Sequence, residues 1–304
     1  MGIFINSLPT VLNEGIIYGI MAIGVFITFR ILNFADLTVD GSFATGGIVF
    51  AVLFNAHIPV ALAFLIAFLS GALAGLITAL LHCYLGIPGI LAGILTQAML
   101  WSINLLIAGG KAAISINTRD SLLSNNRSLG VYTTIPIVIV ISVILVLILY
   151  WFFGTKFGSS IRATGANESM AKANGININL RKIIALMISN GIVAFAASIL
   201  THYKGQATID MGTGAIVIGL AAIVIGTTLF GKISQNFGLT QGFVLFGGII
   251  YYLVYQIISL VTGTPLLLKL ISSIVVALFL AVPYIRNVYV KQMLTKHRRV
   301  KEVE

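Results

Sequence analysis

Apolar residues run along this chain in long blocks separated by short polar stretches. The blocks are Pro9–Phe29, Ile58–Cys83, Ile87–Ala108, Ile135–Phe153, Ile183–Tyr203, Ala215–Phe230, Gly238–Val261 and Leu266–Ile285, with a shorter one at Gly41–Phe54. Most approach the roughly 20 residues that carry a helix across a bilayer. They do not alternate with period two, as barrel strands would. In lipid the backbone must satisfy its own hydrogen bonds, so these blocks predict helices. The pattern predicts an all-α polytopic membrane protein of about nine transmembrane helices, with a broken helix near residues 31–42. If 41–54 dips in and returns instead of crossing, the number is eight. The polar interruptions are Arg30–Asp40, Lys111–Thr134, Gly154–Lys182 and the tail Arg286–Glu304.

Composition agrees with lipid as the main solvent. Of 304 residues, 59% are hydrophobic and 9% charged, and the mean hydropathy is +1.07. A soluble chain carries about 25% charged residues. No repeat of period 20–50 appears, and residues 1–304 read as a single transmembrane domain. Small residues at four-residue spacing, such as Gly15 with Gly19 and Gly71 with Gly75, permit close helix packing.

The net charge of +10 changes the picture only through its distribution. Lys156, Arg162, Lys172, Arg181 and Lys182 share one interruption. Arg286, Lys291, Lys296, Arg298, Arg299 and Lys301 share the tail. Clusters beside spans set membrane orientation and do not imply nucleic acid. Both belong in the cytoplasm, and the four spans between them return the chain to the same side. The carboxy terminus is thus expected to be cytoplasmic, in a cell (plasma or inner) membrane. Segment 111–134 is then outside. The amino terminus is outside with nine spans and inside with eight. Met1–Glu14 has no basic region or cleavage site, so no removable signal peptide is expected.

Candidate chemistry is sparse. Cys83 is the one cysteine, so neither an internal disulfide nor a cysteine metal site is expected. His57, His82, His202 and His297 lack metal-ligand spacing, and no Ser/His/Asp set assembles on one side. The run Gly226-Thr-Thr-Leu-Phe-Gly231-Lys232-Ile233 approaches a phosphate-binding loop. It lacks the final hydroxyl and ends an apolar helix, so Lys232 reads as an anchor. The tripeptides at Asn126 and Asn167 match a glycosylation pattern that arises often by chance. The chain is expected to perform no catalysis and to bind no cofactor or metal itself.

The interruption at 154–182 is the most informative stretch. Asn167 suits a helix N-cap, Glu168 the first turn, and Gly175 the left-handed position after a helix. A short capped helix over 167–173 is expected, preceded by another element ending near Gly165. Most helix connections are 2–8 residues long, so so long a structured one invites a cytoplasmic partner.

Arg162-Ala-Thr-Gly165-Ala-Asn167-Glu168, followed by Ala171 and Gly175-Ile176-Asn177, resembles the cytoplasmic coupling loop of permease subunits of ATP-binding-cassette (ABC) importers, in the branched-chain amino-acid and ribose permease branch. Leu32-Asn33-Phe34-Ala35-Asp36-Leu37-Thr38 with Gly41-Ser42 resembles that family's polar patch after an early span, with an added Asp40. Gly219-Leu-Ala-Ala-Ile-Val-Ile-Gly226 is similar to its late Gly/Ala-rich span. The three reach from near residue 15 to near 262. Within the branch, the chain is most similar to the compact tryptophan and tyrosine uptake subgroup.

The resemblance implies several partners: a second permease copy, as a homodimer; two cytoplasmic ATP-binding subunits holding the ATP and magnesium; and an extracytoplasmic substrate-binding protein. It assigns ATPase coupling to Arg162, Ala163, Thr164, Gly165, Asn167, Glu168, Ala171, Lys172 and Gly175. The expected role is a translocation pathway for a small organic solute, with an amino acid, and within that class an aromatic one, favoured over a sugar or a nucleoside, which stay open. The alternative is a stand-alone secondary transporter or channel, which would need ion-coupling groups at mid-membrane.

Acids inside a bilayer cost about 2.5–3.5 kcal/mol on insertion scales unless paired or hydrated. Glu14, Asp36 and Asp40 are the candidates. Asp36 and Asp40 lie where the apolar pattern breaks, either lining a pathway or capping helix ends beside Arg30. The candidate pathway residues are Asn33, Asp36, Thr38, Asp40, Ser42, Gln97 and Asn190. Asn104, Gln241 and Gln256 either bond between helices or face the pore. Tyr251, Tyr252 and Tyr255 fit an interfacial belt.

Overall fold

The computed structural model describes residues 2–116, 130–231 and 237–262, together with 273–274, 277 and 281. The expected span Leu266–Ile285 falls almost wholly outside the described residues. So do the basic tail, Lys232, Arg119, Asn126, Arg127 and His297.

The chain forms α1 (Gly2–Phe26), which continues as a π-helical turn (Ile27–Ile31), then α2 (Thr38–Asn55), α3 (Val60–Cys83) and α4 (Gly89–Ile107). Next come β1 (Ala113–Ser115), α5 (Gly130–Gly154), α6 (Lys156–Ala166), α7 (Glu168–Ala173) and α8 (Ile178–Lys204). The last described elements are β2 (Gln206–Thr208), a 3-10 turn (Ile209–Gly212), α9 (Ala215–Phe230) and α10 (Phe237–Thr262). Eight helical stretches among the described residues are long and apolar enough to cross a membrane. The protein is an all-α polytopic membrane protein; the ninth expected span lies in the part not described.

Segment 41–54 does not dip and return. It belongs to one uninterrupted helix, α2, that runs antiparallel to α3. Thr38 at its start meets Thr78 near the end of α3, and Phe50 stacks on Phe64 near the start of α3. An 18-residue helix rises about 27 Å, close to the hydrocarbon thickness.

The core gathers around α1, α2 and α8, whose apolar windows are mostly buried, while α3, α4, α5 and α10 present apolar flanks outward. Small residues set the closest crossings. Gly15 and Gly19 lie on the backbone of α10, and Gly71 and Gly75 lie on the Leu186–Ala194 stretch of α8. Without a hydrophobic drive between helices in lipid, this close packing holds the bundle together.

One end of the bundle carries α6 and α7; the other carries the β1–β2 pair, where Ile114 faces Ala207. Glu14 is at the second end in an ion pair of 3.0 Å with Lys204. The tyrosines of α10 are not a lipid-facing belt: Tyr251 and Tyr252 are buried, and Tyr252 stacks on Tyr18 of α1 at 4.8 Å. Burial in the α1–α10 contact outweighs the interfacial preference read from their position. The phosphate-loop look-alike is helical through Phe230, with Gly226 pressed against the Phe243 carbonyl.

Candidate functional site

The break between α1 and α2 is built by specific backbone conformations. The ladder widens to a π-turn at Ile27–Ile31, and Asn33 then adopts φ 54°, in the left-handed region that asparagine tolerates. Residues 34–37 lie unwound against α4. Gly93 there leaves room for the Leu37 backbone, and Gly89 for the Phe34 ring. Unwound backbone survives in a membrane protein only where protein or a water-lined cavity surrounds it.

Side chains satisfy this unwound segment. Asp36 is 2% exposed. Its Oδ1 accepts the Thr38 amide at 2.9 Å, capping α2, and its Oδ2 accepts Nδ2 of Asn190 at 2.7 Å. Asn190, fully buried on α8, also donates to the Leu186 carbonyl at 3.1 Å and accepts the Ser42 hydroxyl at 2.6 Å. The Thr38 and Thr78 hydroxyls share a bond of 2.6 Å. One network therefore ties α2, α3 and α8 to the break. Desolvation disfavours a charge on Asp36, and the two donors offset part of that.

Asp40, in the first turn of α2, has a different partner. Its two carboxylate oxygens accept the amides of Gly214 and Ile216, each at 2.9 Å. It thus caps the amino end of α9 from another helix, in the place a local Ser or Asp usually fills. Gly212 packs so tightly on the Asp40 backbone that no side chain fits there. Both acids cap a helix start, Asp36 buried and Asp40 half-buried, and among the described residues neither is ion-paired with Arg30.

Of the expected pathway residues, Asp36, Thr38, Ser42 and Asn190 come together in one network. Asn33 is exposed and apart from it. Asp40 and Gln97 instead line a separate pocket of about 340 Å3 between α2, α4 and the 209–213 turn, with Trp101, Asn104 and Thr213. Thr78, Trp101 and Thr213 were missed in the sequence. The spacing Gln97–Trp101–Asn104, i, i+4, i+7 on one helical face, was the available signal for that side of the pocket.

At the other site, the 154–182 interruption forms the expected short capped helix, α7, and the element before it is a second capped helix, α6, ending at Ala166. Thr155 caps α6 by accepting the Gly158 amide, and Asn167 caps α7 by accepting the Met170 amide at 3.0 Å. Gly175 follows α7 at φ 76°, and Asn177 caps α8. Thr164 and Ala171 are buried anchors, whereas Arg162, Asn167, Glu168 and Lys172 are exposed. The Arg162 guanidinium sits 5.7 Å from the Phe237 ring centre. Glu168 pairs with Lys182 at 2.8 Å, and Lys182 reaches Nε2 of His82 at 3.3 Å. The carbonyl of Ala163 accepts the Asn167 amide at 3.1 Å, closing α6. Gly165 lies on the backbone of Ile31 and Leu32, so the two-helix element rests directly on the break.

A bundle of span-length helices around a broken, hydrogen-bonded helix, with a two-helix element docked on that break, defines a polytopic membrane protein of the permease class. Residues 7–283 match the family described as branched-chain amino acid transport system / permease component, and the chain belongs to that family. It is similar to the tyrosine transport system permease protein of Clostridioides difficile, at 37% identity over 91% of each chain. It is also similar to the autoinducer 2 import permease LsrC of Salmonella choleraesuis, at 27% over 78% of this chain and 70% of that one. The galactose/methyl galactoside import permease MglC of Escherichia coli is 30% identical over 66% of this chain and 61% of that one. The resemblance to importer permeases is thereby borne out.

Proposed function

We propose that the chain is the membrane subunit of an ABC importer that moves an aromatic amino acid inward. The side carrying α6 and α7 is cytoplasmic in this reading. A second permease chain, most simply another copy, completes the pathway. Two ATPase subunits, which bring ATP and magnesium, grip the exposed face of α6–α7, and an extracytoplasmic binding protein delivers the solute. The carboxy terminus is cytoplasmic.

The observation that carries the reading is the seat of Gly165 on Ile31 and Leu32. A push on α6 meets the end of the broken helix with no flexible side chain between them. The unwound segment and its polar network then shift relative to α2, α3 and α8, in an alternating-access cycle. The similarity to a tyrosine transport permease favours an aromatic solute over a sugar.

The test is charge reversal at Arg162, Glu168 and Lys172 in the intact system. Copurification of the ATPase and tyrosine uptake are both expected to fall. Unchanged ATPase binding and uptake would sink the proposal. The rival, a stand-alone secondary transporter, is favoured by tyrosine transport through the purified chain driven by an ion gradient alone.

A further inference from the structure

The pocket between α2, α4 and the 209–213 turn holds an unusual group. Asn104 is 1% exposed, yet among the described residues neither its side-chain nitrogen nor its side-chain oxygen has a hydrogen-bond partner. Buried primary amides are nearly always paired, so one that lines a cavity unpaired marks a place for a polar ligand. Gln97 and Trp101 share its face of α4. The Trp101 indole is 53% exposed and forms a flat wall.

Asp40 supplies the charge. Each carboxylate oxygen accepts one backbone amide from the start of α9 and keeps a second lone pair. Among the described residues, no lysine or arginine lines the pocket. A ligand here meets one negative group, two side-chain amides and an aromatic face.

We propose that this pocket is a binding station for an α-amino acid with an aromatic side chain. Its ammonium faces Asp40, its carboxylate takes the amide donors of Gln97 and Asn104, and its ring lies on Trp101. The assignment rests on the permease reading above and adds where the solute is held. A neutral sugar would stack on the same indole but leaves the Asp40 charge without a counter-charge.

The chain has two tryptophans, so Trp151→Phe leaves Trp101 as the sole reporter. The purified full chain in lipid nanodiscs is titrated with L-phenylalanine and followed by tryptophan emission. A saturable change is expected, absent with galactose. N-acetyl-L-phenylalanine, which has lost the ammonium, binds about tenfold more weakly, as does the amino acid to the Asn104→Leu chain. The proposal is overturned by no saturable change, by a change indifferent to N-acetylation, by one unaltered in a folded Asn104→Leu chain, or by preference for galactose. The N-acetyl arm needs no substitution in the pocket, so it decides even if Asn104→Leu fails to fold. Because the ATPase is not in this assay, failure here leaves the permease reading standing. Loss of that reading would show in copurification instead.

Discussion

Gly165 of α6 and Ile31, the last residue of the π-turn after α1, are in backbone contact with no space for a side chain at position 165. The element at the end of the bundle and the break inside it are thus one mechanical unit. A methyl at 165 must push α6 off the break, and a larger side chain must push it further.

Gly165→Ala is therefore expected to lower uptake severalfold, and Gly165→Leu to abolish it. ATPase copurification should be largely kept, because the exposed partner face of α6–α7 is unchanged. The check is transport and copurification from the same membranes. Equal uptake by Gly165→Leu and the parent chain would remove the coupling role assigned to this contact.

The Asp36–Asn190 bond gives a paired prediction. Asp36→Asn sets an amide NH2 against the Asn190 NH2, and Asn190→Asp sets two carboxylates together. Leaving a buried polar group unpaired costs about 1–3 kcal/mol, more for a charge. Each single variant should lower the thermal midpoint in detergent. The double variant restores a donor opposite an acceptor and keeps the Ser42 bond. It should recover part of the loss, but not the contact to the Leu186 carbonyl, which an aspartate cannot donate to. A double variant no more stable than the sum of the singles contradicts the pairing.

Much of the architecture was legible because its signals are local. Asn167 and Gly175 announce α7 through cap chemistry that needs only neighbouring residues, and the apolar blocks announce the spans by length. The polar break was legible as a break, since Asp36 and Asp40 interrupt an apolar run. Their partners were not. Asn190 is 154 residues from Asp36, and Gly214 is 174 from Asp40, so only the folded chain brings them together. The tyrosines of α10 misled for the same reason: position within a span does not say which face meets Tyr18.

The Glu168–Lys182 pair should matter little for stability and more for partner binding. Glu168 is more than half exposed, so solvent screens the pair. Glu168→Gln is expected to shift stability by less than about 1 kcal/mol. Glu168→Lys places like charges beside Lys182 and reverses the sign at the start of α7, against the helix dipole. ATPase copurification from the Glu168→Lys membranes should fall sharply while the Glu168→Gln level stays near the parent. Equal retention in both would take the α7 terminus out of the docking face.

Asp40 separates capping from charge. Its carboxylate accepts the amides of Gly214 and Ile216, at the amino end of a helix. Asp40→Asn keeps one acceptor oxygen but loses the charge that favours that end, a loss of about 1–2 kcal/mol. Asp40→Ala keeps no acceptor, and two amides at the start of α9 are left without the partner they have here. At about 1–3 kcal/mol for each unpaired donor, the cost is roughly 2–6 kcal/mol. Thermal unfolding in detergent should rank the parent above Asp40→Asn and Asp40→Ala well below both. Because the 209–213 turn is pinned through the same residue, Asp40→Ala should also expose the 205–214 backbone to amide hydrogen exchange, with the α3–α8 contact still protected. Matching exchange in Asp40→Ala and parent would mean that α9 is held at its start by something other than this carboxylate.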